Sequence, residues 1–91
     1  MVTAIILLKV HRKKIQETAT IIASMSGFTE VFSVSGNYDL VALARVECNQ
    51  DLSTLITEKL ADIEHIESSE TMLAFKAYSK HDLEAMFGVG M

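Results

Sequence analysis

The sequence predicts an α+β domain with the element order β-α-β-β-α-β. Its four strands should form one antiparallel sheet with both helices on the same face. Three observations carry this. Two long apolar runs, Val2–Val10 and Leu40–Val46, read as strands. Two stretches with helical spacing of apolar residues lie between extended segments, and a glycine-opened turn separates the middle pair of strands. At 91 residues, the chain has room for one such unit, residues 1–78, followed by a short tail, 79–91.

Val2 to Val10 is apolar on both parities. Val2, Ala4, Ile6, Leu8 and Val10 share one face and Ile5 and Leu7 the other. Such a strand wants cover above and below, and so a central place in the sheet. From His11 to Met25 the spacing becomes helical, with Ile15, Thr18, Ala19, Ile22 and Ala23 in one stripe. Gly27 is placed to end that helix in the left-handed conformation. Val31 to Ser35 alternates Phe32 and Val34 with Ser33 and Ser35, and Leu40 to Val46 is almost wholly apolar. Gly36-Asn37 between them predicts a tight hairpin.

Asn49 then reads as the N-cap of a second helix whose buried stripe is Leu52, Leu55, Ile56, Leu60 and Ile63. A last strand is expected over residues 66–78. Ser79 and Asp82 resemble a capping box for a short tail helix carrying Leu83, Met86 and Phe87. Right-handed crossovers place both helices on one sheet face, the split βαβ or ferredoxin-like arrangement.

Composition narrows the function. The chain is 49% hydrophobic, much for a domain this small, and the strands are apolar on both faces. The face without helices then needs a cover, and a second copy packing sheet on sheet supplies it, giving a dimeric α/β barrel. Eight basic against twelve acidic residues give a net charge of −4, which argues against binding a phosphate backbone. The cluster Lys9 to Lys14 has no aromatic companions and reads as a solvated helix entry. The run Ala4–Leu8 is too short to span a bilayer and lacks the features of a secretory signal. With Cys48 the only cysteine, no internal disulfide is available, and cytoplasmic residence is expected.

No catalytic constellation appears. His11, His65 and His81 have no second histidine or cysteine at metal-ligand spacing, so neither metal nor cofactor is expected. Cys48, at the entry to the second helix, reads as a small residue at a strand end. Gly36-Asn37-Tyr38-Asp39 admits two readings. As a turn, Asn and Asp bond nearby amides while Gly frees φ. As a site, the segment offers backbone N–H groups to a carboxylate, Asp39 to an ammonium group and Tyr38 as a wall, the needs of a free α-amino acid.

The run Val34-Ser35-Gly36-Asn37-Tyr38-Asp39-Leu40-Val41 resembles the glycine-x-tyrosine-aspartate hairpin of the leucine-responsive regulator (Lrp/AsnC) family, in its C-terminal effector or RAM domain. The segment from Ile66 to Lys76, with Thr71 before apolar residues, is similar to that domain's last strand. The resemblance implies a non-catalytic sensing and oligomerisation domain linked to transcriptional regulation of amino-acid metabolism. Its effector pockets would lie between subunits or dimers, and its dimers would often form rings. By position, Gly36 and Tyr38 would supply backbone contacts, and Asp39 and Thr71 would meet effector polar groups. The chain starts at the effector domain, so it resembles the stand-alone RAM proteins. Direct operator binding is not expected, and mixed oligomers with a full-length regulator are. The rival readings are a dimeric α/β-barrel enzyme, such as a small monooxygenase, and a ligand-free oligomerisation module.

Overall fold

A computed structural model describes residues 1–78 and Lys80. The element order is β1 (Val2–Val10), α1 (Ile15–Ala23), β2 (Phe28–Ser33), β3 (Leu40–Val46), α2 (Asn49–Thr54) and β4 (Ile66–Ala74). The sheet order is β2-β3-β1-β4 and every adjacent pair is antiparallel, as the ferredoxin-like expectation requires. β1 occupies the centre because its interior parity is the most apolar in the chain. Ala4, Ile6 and Leu8 have no solvent exposure, and they face Leu40, Ala42 and Ala44 of β3, which are equally buried. Ile22 of α1 and Leu52 of α2 close over this face together with Leu55, Leu60 and Ile63.

Several boundaries differ from the sequence reading. The first helix is entered through a 3₁₀ turn, Arg12–Lys14, capped by His11, whose Nδ1 accepts the Lys13 N–H at 3.2 Å. Gly27 is left-handed, with φ +103°, but it does not cap the helix: α1 ends at Ala23 with Ser24 as its C-cap, and Gly27 lies in the turn that leads into β2. β2 begins at Phe28 rather than Val31, because Phe28 already pairs with Ala44 across a register shift. Cys48, in extended conformation, precedes the second helix, and Asn49, expected as its N-cap, is the first helical residue. Beyond Thr54 the chain makes a π-helical turn, Leu55–Lys59, and a 3₁₀ turn, Leu60–Asp62. The reason lies in the spacing. Five residues separate Leu55 from Leu60, which overshoots one α-helical turn by about 140°. The wider turn returns both leucines to the core, where each is buried.

β4 stops at Ala74, not Tyr78. Its last partner is Thr3, one residue inside the start of β1. The tail helix expected from Ser79 falls, apart from Lys80, outside the described residues.

The face opposite the helices carries Ile5, Leu7, Val41 and Leu43, all half-buried, with Phe32 and Met72 about 45% and 43% exposed. The double-sided strands of the sequence reading are therefore covered on one side within the chain.

Candidate functional site

The segment between β2 and β3 is a six-residue loop, residues 34–39, and not the two-residue turn expected from Gly36-Asn37. Gly36 has φ +113°, but Asn37 does not take positive φ, so the tight turn with two left-handed centres does not form. Asp39 explains the extra length. Its N–H donates to the Leu8 carbonyl at 2.9 Å, and its Oδ2 accepts the Val10 N–H at 2.8 Å. The residue is thus drawn onto the end of β1, where the β1–β4 register shifts between Lys9 and Val10. The Val34 N–H donates to the Asp39 carbonyl at 3.0 Å and closes the loop. Gly36 itself is open: among the described residues nothing lies within 4 Å of the place a Cβ would take.

Tyr38 turns the other way. Its hydroxyl donates to Glu70 Oε2 at 2.7 Å, spanning 32 residues of sequence. Glu70 pairs with Leu7 and so belongs to the helix-free face of the sheet. This hydrogen bond, with some desolvation and the carboxylate's charge, raises the Tyr38 phenol above its ordinary value of 10.0.

Thr71 pairs with Ile6, which puts it on the opposite parity, toward the helix side, where it remains exposed. The sheet register measures its separation from Asp39. The Leu8 row holds Leu40 and Ser69, and the Ile6 row holds Ala42 and Thr71. Asp39 and Thr71 are therefore three residues apart along the strands and two strands apart across the sheet. That is roughly 10 Å in each direction, or about 14 Å overall. Gly36, Asn37, Tyr38 and Asp39 are together; Thr71 stands apart from them within one subunit. Glu70 was not singled out in the sequence, where no local signal pairs it with Tyr38; the contact follows from strand register alone.

Clefts of about 390, 500 and 520 Å³ are lined by described residues. None of the three includes residues 36–39 or Thr71. The first lies between Gly27, the end of β3 and α2, and the others flank α1. Among the described residues no group of three or more His, Cys, Asp or Glu is arranged to hold a metal. His11 and His65 approach with ring centroids 6.4 Å apart, joined by the His11 N–H to the His65 carbonyl. Cys48 is exposed and free. No helix of the described residues is long and apolar enough to cross a membrane.

With this fold and loop in place, comparison with known proteins is decisive. The family model for the Lrp/AsnC ligand binding domain matches residues 3–83. The chain belongs to the Lrp/AsnC family. It is 32% identical over 74 residues to the uncharacterized HTH-type transcriptional regulator PF1734 of Pyrococcus furiosus, a match covering 81% of this chain and 49% of the relative. The chain spans about half the length of the curated relatives it matches. Among solved structures, TTHA0845 from Thermus thermophilus superposes with a TM-score of 0.82 at 38% identity, covering 88% of this chain and 100% of that one. The regulator NMB0573 of Neisseria meningitidis, solved as a complex with L-Met, shares the fold with a TM-score of 0.77 at 15% identity, over 86% of this chain and 52% of that one. Residues 3–83 thus form an Lrp/AsnC ligand-binding domain, and the curated relatives that share it are HTH-type transcriptional regulators.

Proposed function

We propose that this Lrp/AsnC domain is a cytoplasmic sensor of a free amino acid or a closely related metabolite, working as a homodimer formed through the helix-free sheet face. One observation carries the reading. Half-buried Ile5, Leu7, Val41 and Leu43 form a continuous apolar surface with exposed Phe32 and Met72, and the Gly36–Asp39 loop stands beside its β2–β3 end. Monomeric domains avoid leaving such a surface in water, and a second sheet packed on it gives a two-fold interface.

The separation of Asp39 from Thr71 fits an effector site built from more than one subunit. A molecule the size of an amino acid does not reach across about 14 Å. Loop residues Gly36, Asn37, Tyr38 and Asp39 from one subunit and Thr71 from another would serve it. The amino-acid class is supported by the loop's pairing of backbone donors with a carboxylate and by the L-Met complex of the Neisseria regulator, which has the same fold. Effector binding then shifts assembly, among rings of dimers or in mixed oligomers with a full-length regulator, through unequal affinity for the states.

Calorimetric titration with each of the twenty amino acids tests this. One of them should bind, and Asp39→Asn and Thr71→Ala should each weaken it by about tenfold, the loss of one charge-assisted contact. Undiminished binding in both variants refutes the site. No heat and no thermal shift with any amino acid favours the ligand-free oligomerisation module.

A further inference from the structure

The loop and the last strand are joined by one side-chain contact, Tyr38 Oη to Glu70 Oε2 at 2.7 Å. Glu70 is the neighbour of Thr71 on β4, and Tyr38 the neighbour of Asp39. The contact therefore links the two segments that the proposed effector site draws on, over the central strand that separates them. We propose that Glu70 is a positioning residue, strapping the 34–39 loop to β4 through Tyr38 and so setting the arrangement in which the loop meets an effector. The inference rests on the amino-acid-sensing reading for its consequence, but the strap itself exists without any ligand.

Geometry supports a positioning role over a merely ornamental one. Strand β3 is tied to β1 by its ladder, and Asp39 is tied to the end of β1 by two hydrogen bonds. Among the described residues the loop tip has no comparable anchor: Ser35, Gly36 and Asn37 are exposed, and Gly36 has open space around it. Tyr38 is where the chain passes from that free tip to the anchored Asp39. A phenol donating to a carboxylate is a charge-assisted bond, stronger and shorter than a neutral one. It also stands on the helix-free face, through Glu70, so a second copy packed there would remove competing water and strengthen it.

Hydrogen exchange at the Val34, Asp39 and Val10 amides, which hold the loop's ends, reads the strap directly in the ligand-free protein. Tyr38→Phe and Glu70→Ala should each speed their exchange by about fivefold, the factor one ordinary hydrogen bond is worth in an opening equilibrium. Glu70→Gln keeps an acceptor oxygen and should restore most of the protection. The Ile6 and Ala42 amides of the core should be unchanged, which separates loop opening from global destabilisation.

An absorbance titration adds a second readout. The chain has two tyrosines and no tryptophan, so in Tyr78→Phe only Tyr38 titrates. Its midpoint should lie above the ordinary phenol value and fall toward it when Glu70→Gln is added. Unchanged loop exchange in Tyr38→Phe, or a midpoint indifferent to Glu70, overturns the strap. Calorimetry on the same variants keeps the two claims apart: absence of any amino-acid binding defeats the sensing reading and leaves the exchange result standing.

Discussion

Thr18 is the most informative single residue of the interior. It lies on the buried face of α1 with no solvent exposure, and its Oγ1 has no hydrogen-bond partner among the described residues. A buried hydroxyl left unpaired costs about 1–3 kcal/mol, whereas an isosteric methyl costs nothing in desolvation. Thr18→Val should therefore stabilise the domain by about 1 kcal/mol, since valine and threonine have similar helix propensities. Thermal unfolding should show this as a rise of roughly 4–8 °C in Tm for a domain this size. The residue's membership of the apolar stripe was legible from spacing. Its missing partner was not, because a threonine on a helix commonly bonds the carbonyl one turn back, and only the folded structure shows that this one does not. Asp39 teaches the same lesson. An aspartate beside a glycine reads equally as a turn residue or a ligand contact, and its bond to the Val10 N–H lies 29 positions away in sequence.

At the scale of the elements, two glycines shape the turn between α1 and β2 and the loop between β2 and β3. Gly27 and Gly36 have nearly the same backbone angle, φ +103° and +113°. They differ in surroundings. A Cβ at Gly27 would stand 3.3 Å from Leu55 Cδ2 and 3.4 Å from Val46 Cγ1, whereas one at Gly36 would meet nothing. Gly36→Ala should cost only the conformational term, about 1–2 kcal/mol. Gly27→Ala should cost that and an added contact penalty, because Leu55 is held in the core by the π-helical turn that follows it. Chemical denaturation of the two variants, with equal m-values, checks the order; a larger loss at Gly36 would contradict it. Periodicity located both helices and all four strands to within a few residues. It missed the π-turn and the end of β4, which depend on where a neighbouring side chain or strand stands.

For the whole molecule, the open balance at the sequence level is how a sheet apolar on both sides meets water. The helices cover the β1 and β3 part of one face, leaving Thr71 and Leu73 of β4 exposed there. The other keeps Phe32 and Met72 about half exposed around half-buried Ile5, Leu7, Val41 and Leu43. If a second copy covers it, a charge at its middle should disfavour assembly without touching the core. Leu43→Lys should shift the protein to monomer by light scattering at micromolar concentration, with unchanged far-ultraviolet circular dichroism. A stable dimer in that variant would place the interface elsewhere. The Tyr38–Glu70 contact belongs to the same face. Because the bond requires a protonated phenol, its contribution is present through neutral pH and lost as pH rises through the raised Tyr38 value.

The order of elements, the identity of the central strand and the position of the loop followed from the local pattern. Hydrophobic period, glycine placement and strand length are properties of neighbouring residues, and right-handed crossover then leaves one sheet order. Register is different. A shift by one residue would move Glu70 to the other face and leave Tyr38 without its partner. Which carboxylate meets Tyr38, which amide occupies Asp39, and how far Thr71 stands from both are consequences of three strands aligned at once. Short-range chemistry marked the loop, and long-range pairing assigned its residues their contacts.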